Sequence, residues 1–392
     1  MRRLLFLLLL VTPAYAGDRL RLAQYTTELT RDGPGLLYRD LLKPGAPGVE
    51  TAVRRIVAAG ADVLLLCGID WDHDGLALDA LADRVRAAGL DYPHRLALRP
   101  NTGMATGLDL DGDGRLGGPA DAQGFGNFSG EKGMALLSRL PIAREEIVDH
   151  SAMLWRDFPG NLSPLTGPAA AAQRLSTTGH WQVPLLWGTG RVTLLTWCAG
   201  PPAFGGETSL RRNHDETAIW GALLDGRLGP PPSAPFVLMG DANLDPEGGD
   251  GMRQGMARLL ADPRLTDPRP ADPEGGRATA DWTVLRSGKP GPGRLRVDYV
   301  LPSRDLTLLS AALLPPEGED RHAVVVLDVV LPSSRVEAAH ATVPQHSGDP
   351  LPSPQAERAT ARGPGSDVPT PPAETAGGMR DEPVRRESAA PF

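Results

Sequence analysis

The sequence predicts a mixed αβ domain, and three observations predict it. Short apolar runs bounded by turn residues recur at Asp62 to Cys67, Gly133 to Ser138 and Phe236 to Met239. Runs of that length suit strands buried on both faces. Between them lie stretches of helical spacing, Glu50 to Ala59 and Leu76 to Ala88, closed by Gly60 and Gly89. Strand, helix, strand, helix is the punctuation of an αβ fold. The third observation is bulk: 392 residues, 41% of them hydrophobic, suffice for a large core in one two-sheet domain.

Taken in order, the chain opens with Arg2 and Arg3, an apolar run from Leu4 to Val11, and Ala14-Tyr15-Ala16. That is the pattern of a secretory signal peptide, residues 1–16, cut after Ala16. The run is too short to anchor the mature chain, and no other segment reads as transmembrane. The expected location is therefore periplasmic or extracellular. Leu20 to Leu29 alternates like a first strand. Gln182 to Leu186 and Val192 to Cys198 read as a hairpin, and His322 to Leu331 as the last strand. A helix is expected to open near Arg211, with Asn213 as its N-cap and Glu216 completing a capping box. The domain spans residues 17–331. From residue 332 the chain turns to Ser, Pro, Ala, Arg, Glu and Gly, so residues 332–392 read as a disordered tail.

The net charge of −8 disfavours simple attraction to bulk nucleic acid, while leaving local basic groups open. The two cysteines, Cys67 and Cys198, each end an apolar run. Strand alternation would turn Cys67 away from the side that Gly68 faces, so two buried, unlinked thiols are expected.

Two stretches carry chemistry. In Phe236 to Pro246 an apolar run meets Gly240, read as a sharp turn, and then Asp241 and Asn243. A carboxylate and a carboxamide two residues apart suit a metal-bound water or a phosphate oxygen. They equally suit an Asx-rich turn. Between Asn101 and Gly130, Asp109, Asp111 and Asp113 alternate before Gly114, the front half of a Ca2+ loop. Ala120 stands where that loop needs its bidentate glutamate, so a solvated Asx-turn loop is the competing reading.

These residues, with TELTRDGPG, the 101–126 loop, GMALLSRLPI, RRNHDE, FVLMGDANLDP and LRVDYVLPS, resemble the endonuclease/exonuclease/phosphatase superfamily in a secreted bacterial branch. The resemblance implies an α+β fold, a four-layer αβ sandwich of two mixed sheets packed face to face with flanking helices. It also implies phosphoester hydrolysis with Mg2+ or Mn2+, by an Asn, a metal-binding Glu, a His, the Asp and Asn of G-D-x-N, a supporting Asp and a final Asp-His pair. Carried over, Asp241, Asn243, Asp298 and His322 match. Thr26 replaces the Asn, Gly68 the Glu, Cys198 the His, and Arg321 the final Asp. Asp70 and Asp72 are candidate metal-ligand substitutes for the missing Glu. The resemblance therefore implies a small phosphorylated ligand or phosphoester substrate, with hydrolysis reduced or lost. The alternative is an active Mg2+- or Mn2+-dependent phosphodiesterase or phosphatase with a rebuilt site. Restoring Glu at 68 and His at 198 is the expected route back to activity.

Overall fold

A computed structural model describes residues 19–46, 48–187, 190–285 and 287–330. The signal peptide and the tail read from the sequence lie outside the described residues. The strands are β1 (Arg19–Leu29), β2 (Val63–Ile69), β3 (His94–Leu96), β4 (Gly133–Ser138), β5 (Val148–Asp149), β6 (Gly179–Trp187) and β7 (Gly190–Cys198). They continue with β8 (Phe236–Asp241), β9 (Ala280–Val284), β10 (Pro290–Leu295), β11 (Asp298–Pro302), β12 (Thr307–Leu314) and β13 (Val324–Val330). The helices are α1 (Leu36–Leu41), α2 (Val49–Ala59), α3 (Leu76–Ala87), α4 (Gly167–Ala172), α5 (Gly206–Leu224) and α6 (Gln254–Leu260).

Two mixed sheets form. One has the order β12-β13-β1-β2-β4-β3, the other β11-β8-β7-β6-β5, and β9 pairs with β10 in a separate ribbon. Alternation sorts each strand between two faces. In β1, Leu20 and Leu22, with Leu65 of β2, face Leu194 and Val237 of the second sheet; Ala23 and Tyr25 face α2 and α3. In β8, Val237 and Met239 join that inter-sheet core, while Phe236 and Leu238 pack under α5 and α6. Helix, sheet, sheet, helix is the four-layer α+β sandwich. The longer helices bury one stripe, as Val49, Ala52, Val53 and Ile56 do in α2.

Several readings need correction. α5 starts at Gly206, so Asn213 lies inside it and caps nothing. Its buried amide donates instead to Gly200 O and Ala242 O, both at 2.8 Å, bracing the turn after β8. Glu216 accepts from Thr177 N and from Gly200 N. Gly240 is not a turn, because β8 runs straight through it. A Cβ there would stand 2.0 Å from Trp197 O on β7, so close strand approach is what requires glycine.

The cysteine expectation also fails. Cys67 and Cys198 form a disulfide with Cα atoms 6.2 Å apart. Strict alternation does not hold at Gly68, which has φ 72° and sits where the β1–β2 and β2–β4 registers both shift. That bulge lets Cys67 face the inter-sheet layer together with Cys198. The bond therefore joins β2 of one sheet to β7 of the other.

Candidate functional site

The site lies at one end of the inter-sheet layer. Register places its parts: Thr26 pairs with Cys67, Cys198 with Asp241, and Asp241 with Asp298. His322 enters from the segment before β13, bridged to Ala280. Asp241, Asp298 and His322 bring ligand atoms within 4.8 Å of one another, and their relative exposures are only 5%, 0% and 5%.

Hydrogen bonds order the cluster. Thr26 Oγ1 donates to Asp298 Oδ1 at 2.7 Å and accepts from Gln24 Nε2 at 2.9 Å. Asp298 Oδ2 lies 2.8 Å from His322 Nδ1. Thr279 Oγ1 accepts from the backbone nitrogens of Val297 and Asp298, fixing that turn. Asp241 accepts from Asn243 N at 2.8 Å and from Asn243 Nδ2 at 3.2 Å. Asn243 adopts φ 49°, a conformation Asn tolerates, and also donates to Ala199 O.

Two charges share little solvent here. Burial, and then the nearby Asp298 charge, pushes Asp241 up to about 7. Burial alone would lower His322, but Asp298, Asp241 and Glu28 outweigh it and raise it to about 9. His322 also meets the ring of Trp282 edge-on at 5.5 Å.

The other sequence candidates go elsewhere. Asp70 accepts from Thr30 Oγ1, Arg31 N and Lys132 N, tying three loops together. Asp72 accepts from Leu76 N and Ala77 N, so it caps α3. Arg321 stacks over Trp282 at 5.0 Å and donates to Val284 O, so its guanidinium is committed to the β9–β10 ribbon. Asp320 faces the helix layer, bonded to Arg55 at 3.0 Å and to the Tyr25 hydroxyl at 2.5 Å. A Cβ on Gly68 would stand 2.6 Å from Thr27 O, so the position expected to regain a glutamate has no room for a side chain. Asp109, Asp111 and Asp113 are exposed and accept from their own loop's backbone at Gly112, Gly114, Asp113 and Arg115. Those are Asx-type turns. Asp121 likewise binds Leu110 N and Gly118 N.

The pattern of the Endonuclease/Exonuclease/phosphatase family matches residues 43–367. The chain belongs to the endonuclease/exonuclease/phosphatase family. Among solved structures, an endonuclease/exonuclease/phosphatase from Beutenbergia cavernae matches with TM-score 0.50 and 20% identity, covering 80% of this chain and 72% of that one. Sphingomyelinase C from Streptomyces griseocarneus matches with TM-score 0.44 and 19% identity, over 80% and 100% of the two chains. A family protein from Bacteroides thetaiotaomicron matches with TM-score 0.48 and 10% identity, over 81% and 100%. No curated protein matches the chain.

Within this family fold few of the candidate carboxylates are left free for a hard cation. Mg2+ demands near-octahedral oxygen ligation. Gly68 brings no oxygen, Asp70 and Asp72 hold backbone N–H groups, and Asp320 holds Arg55. What converges is two carboxylates and one imidazole. Sequence reasoning missed Gln24, Glu28, Arg55 and Trp282. The faint signal was the period of two that places 24, 26 and 28 along one strand face.

Proposed function

We propose that this chain is an exported endonuclease/exonuclease/phosphatase-family protein that binds a small phosphorylated or phosphoester ligand and turns it over little or not at all with Mg2+ or Mn2+. One observation carries the reading. The positions corresponding to the metal-binding glutamate and the phosphate-facing histidine hold Gly68 and half of a Cys67–Cys198 disulfide. Neither is an anionic oxygen ligand or a strong donor. Losing one such donor from an oxyanion site costs on the order of a hundredfold in rate.

Two carboxylates line the retained cluster, so a cation there would help a phosphate to approach. A disulfide in a two-cysteine chain suits an oxidising compartment, which supports export alongside the Arg2-Arg3 and Ala14-Tyr15-Ala16 pattern. The test is turnover of generic phosphodiesters and phosphomonoesters by the purified exported chain with Mg2+ and Mn2+. No rate above blank is expected. Metal-dependent hydrolysis that Asp241→Ala abolishes would instead establish a rebuilt hydrolase.

A further inference from the structure

We propose that Arg55 is a positioning residue for His322, acting from α2 on the far face of the first sheet. The proposal rests on reading the Asp241–Asp298–His322 cluster as the ligand site. Three observations carry it.

The first is where the sheet stops. The β1–β13 and β12–β13 ladders both end at Val324, two residues short of His322. On the ribbon side, Asp281 N donates to Arg321 O and Ala323 N donates to Thr279 O, and neither bond uses the His322 carbonyl. That carbonyl accepts instead from Arg55 Nη2 at 3.1 Å. The same nitrogen donates to the carbonyl of Leu314, the last residue of β12, at 3.1 Å. A buried carbonyl needs a donor, and here one guanidinium closes the base of the 315–321 connection where the sheet does not.

The second is a circuit through the sheet. Arg55 Nη1 donates to Asp320 Oδ2 at 3.0 Å, and the Tyr25 hydroxyl donates to the same oxygen at 2.5 Å. Tyr25 precedes Thr26, and alternation turns Tyr25 towards α2 and Thr26 towards the site. Thr26 donates to Asp298, and Asp298 pairs with His322. The contacts thus return to His322 from the other face of the sheet. Its main chain and its imidazole are fixed by one connected set.

The third is what the arginine costs. Arg55 is 1% exposed, and its Nε has no hydrogen-bond partner among the described residues. A buried ion pair can often be replaced by apolar residues of similar volume without loss of stability. Packing alone would therefore accept methionine at this position. What the guanidinium adds is direction, because its rigid planar fork reaches two carbonyls and a carboxylate at once.

The experiment is NMR of the full chain with 15N-labelled histidine. The proton between His322 Nδ1 and Asp298 is sheltered from water, so wild type should show it as a downfield, slowly exchanging signal, assigned by its loss in His322→Gln. Arg55→Met keeps the bulk and removes the fork. In that variant the signal should be lost or should exchange with water at least about tenfold faster. Arg55→Lys, which can face Asp320 but lacks the fork, should fall between the two. Arg54→Met removes an exposed pair with Glu317 on the same connection and should leave the signal unchanged. The His180 imidazole, held by Ser176 and Glu216 O, should be unchanged throughout. A wild-type His322 signal in folded Arg55→Met overturns the proposal, whatever the melting temperature. Equal loss in Arg54→Met, parallel loss at His180, or absence of the signal from wild type overturns it too. Should Arg55→Met fail to fold, Tyr25→Phe decides, since it removes only the hydroxyl that holds Asp320. Faster exchange at His322 in that variant supports the proposal, and unchanged exchange overturns it. The measurement needs neither ligand nor turnover, so a chain found to hydrolyse phosphoesters defeats the proposed function alone.

Discussion

The two halves of the site hold the sheets together by different means. On one side Asp298, in the second sheet, accepts from Thr26 of β1 and pairs with His322 beside β13, both in the first sheet. On the other side β2 and β7 are joined by the Cys67–Cys198 bond. The polar stitch keeps groups that can bind something else, whereas the covalent stitch keeps none. The difference teaches that one end of a sandwich can be held shut both by groups still open to a ligand and by a bond that is closed to one.

The polar stitch should be the costlier to cut. Asp298→Ala leaves the buried His322 imidazole without its carboxylate partner, and breaking a buried pair costs about 3–5 kcal/mol. Urea denaturation should show that loss, with Asp298→Asn losing less. Equal stability of Asp298→Ala and wild type would mean that the polar half carries no load. Cutting the covalent stitch by Cys198→Ser or by reduction should cost about 2–4 kcal/mol. A melting curve unchanged by reductant would refute the cross-sheet role.

Gly68→Glu sharpens the comparison from the other side. Its φ of 72° and the Thr27 oxygen 2.6 Å from a new Cβ predict destabilisation of about 1–3 kcal/mol. Regained Mg2+-dependent turnover in that variant, alone or with Cys198→His, would show that the bulge relaxes. A pH profile separates two buried imidazoles. Burial lowers His180 to about 3, so the unfolded chain takes up its proton first as pH falls below about 6.5. Stability is therefore lost from about pH 6.5 downwards, by roughly 2 kcal/mol at pH 5. His322, raised to about 9, contributes the opposite way: its stabilisation is present below about pH 6.5 and lost as pH climbs through 9. Denaturation of His180→Phe at several pH values should show a flatter acid limb than wild type. Parallel limbs would mean that His180 is not held neutral.

The smallest effect belongs to the periphery. Arg54 and Glu317 pair across exposed surface, so Glu317→Gln should change stability by less than about 1 kcal/mol. In the buried neighbour pair Arg55–Asp320, Asp320→Asn should cost more than Glu317→Gln does.

Much of this was legible before any coordinates. Apolar runs marked β2, β4 and β8, and helical spacing marked α2 and α3 to within a residue or two. The motif residues Asp241, Asp298 and His322 were named from the sequence, and the fold brings them together. Where Asp70 and Asp72 sit was not legible, because all but one of their partners, Thr30 Oγ1, are backbone N–H groups, at 31, 132, 76 and 77. The disulfide was hidden by one dihedral angle, since alternation cannot be counted across a bulge. Arg55 was invisible because its partners, at 314, 320 and 322, lie far along the chain, and Gln24 because a bond to Thr26 two residues away leaves no mark in residue type.

The cross-sheet bond closes a ring over a sequence separation of 131, and the glycine-rich stretch from 101 to 130 lies inside it. Leu116, near the middle of that stretch, is 71% exposed, which marks a place a protease can reach. A cut there would not release a fragment. Both pieces would stay tethered through sulfur, and the nicked protein would run as one band on a gel until thiol was added. Wherever reductants are scarce, one cut leaves a single covalent molecule.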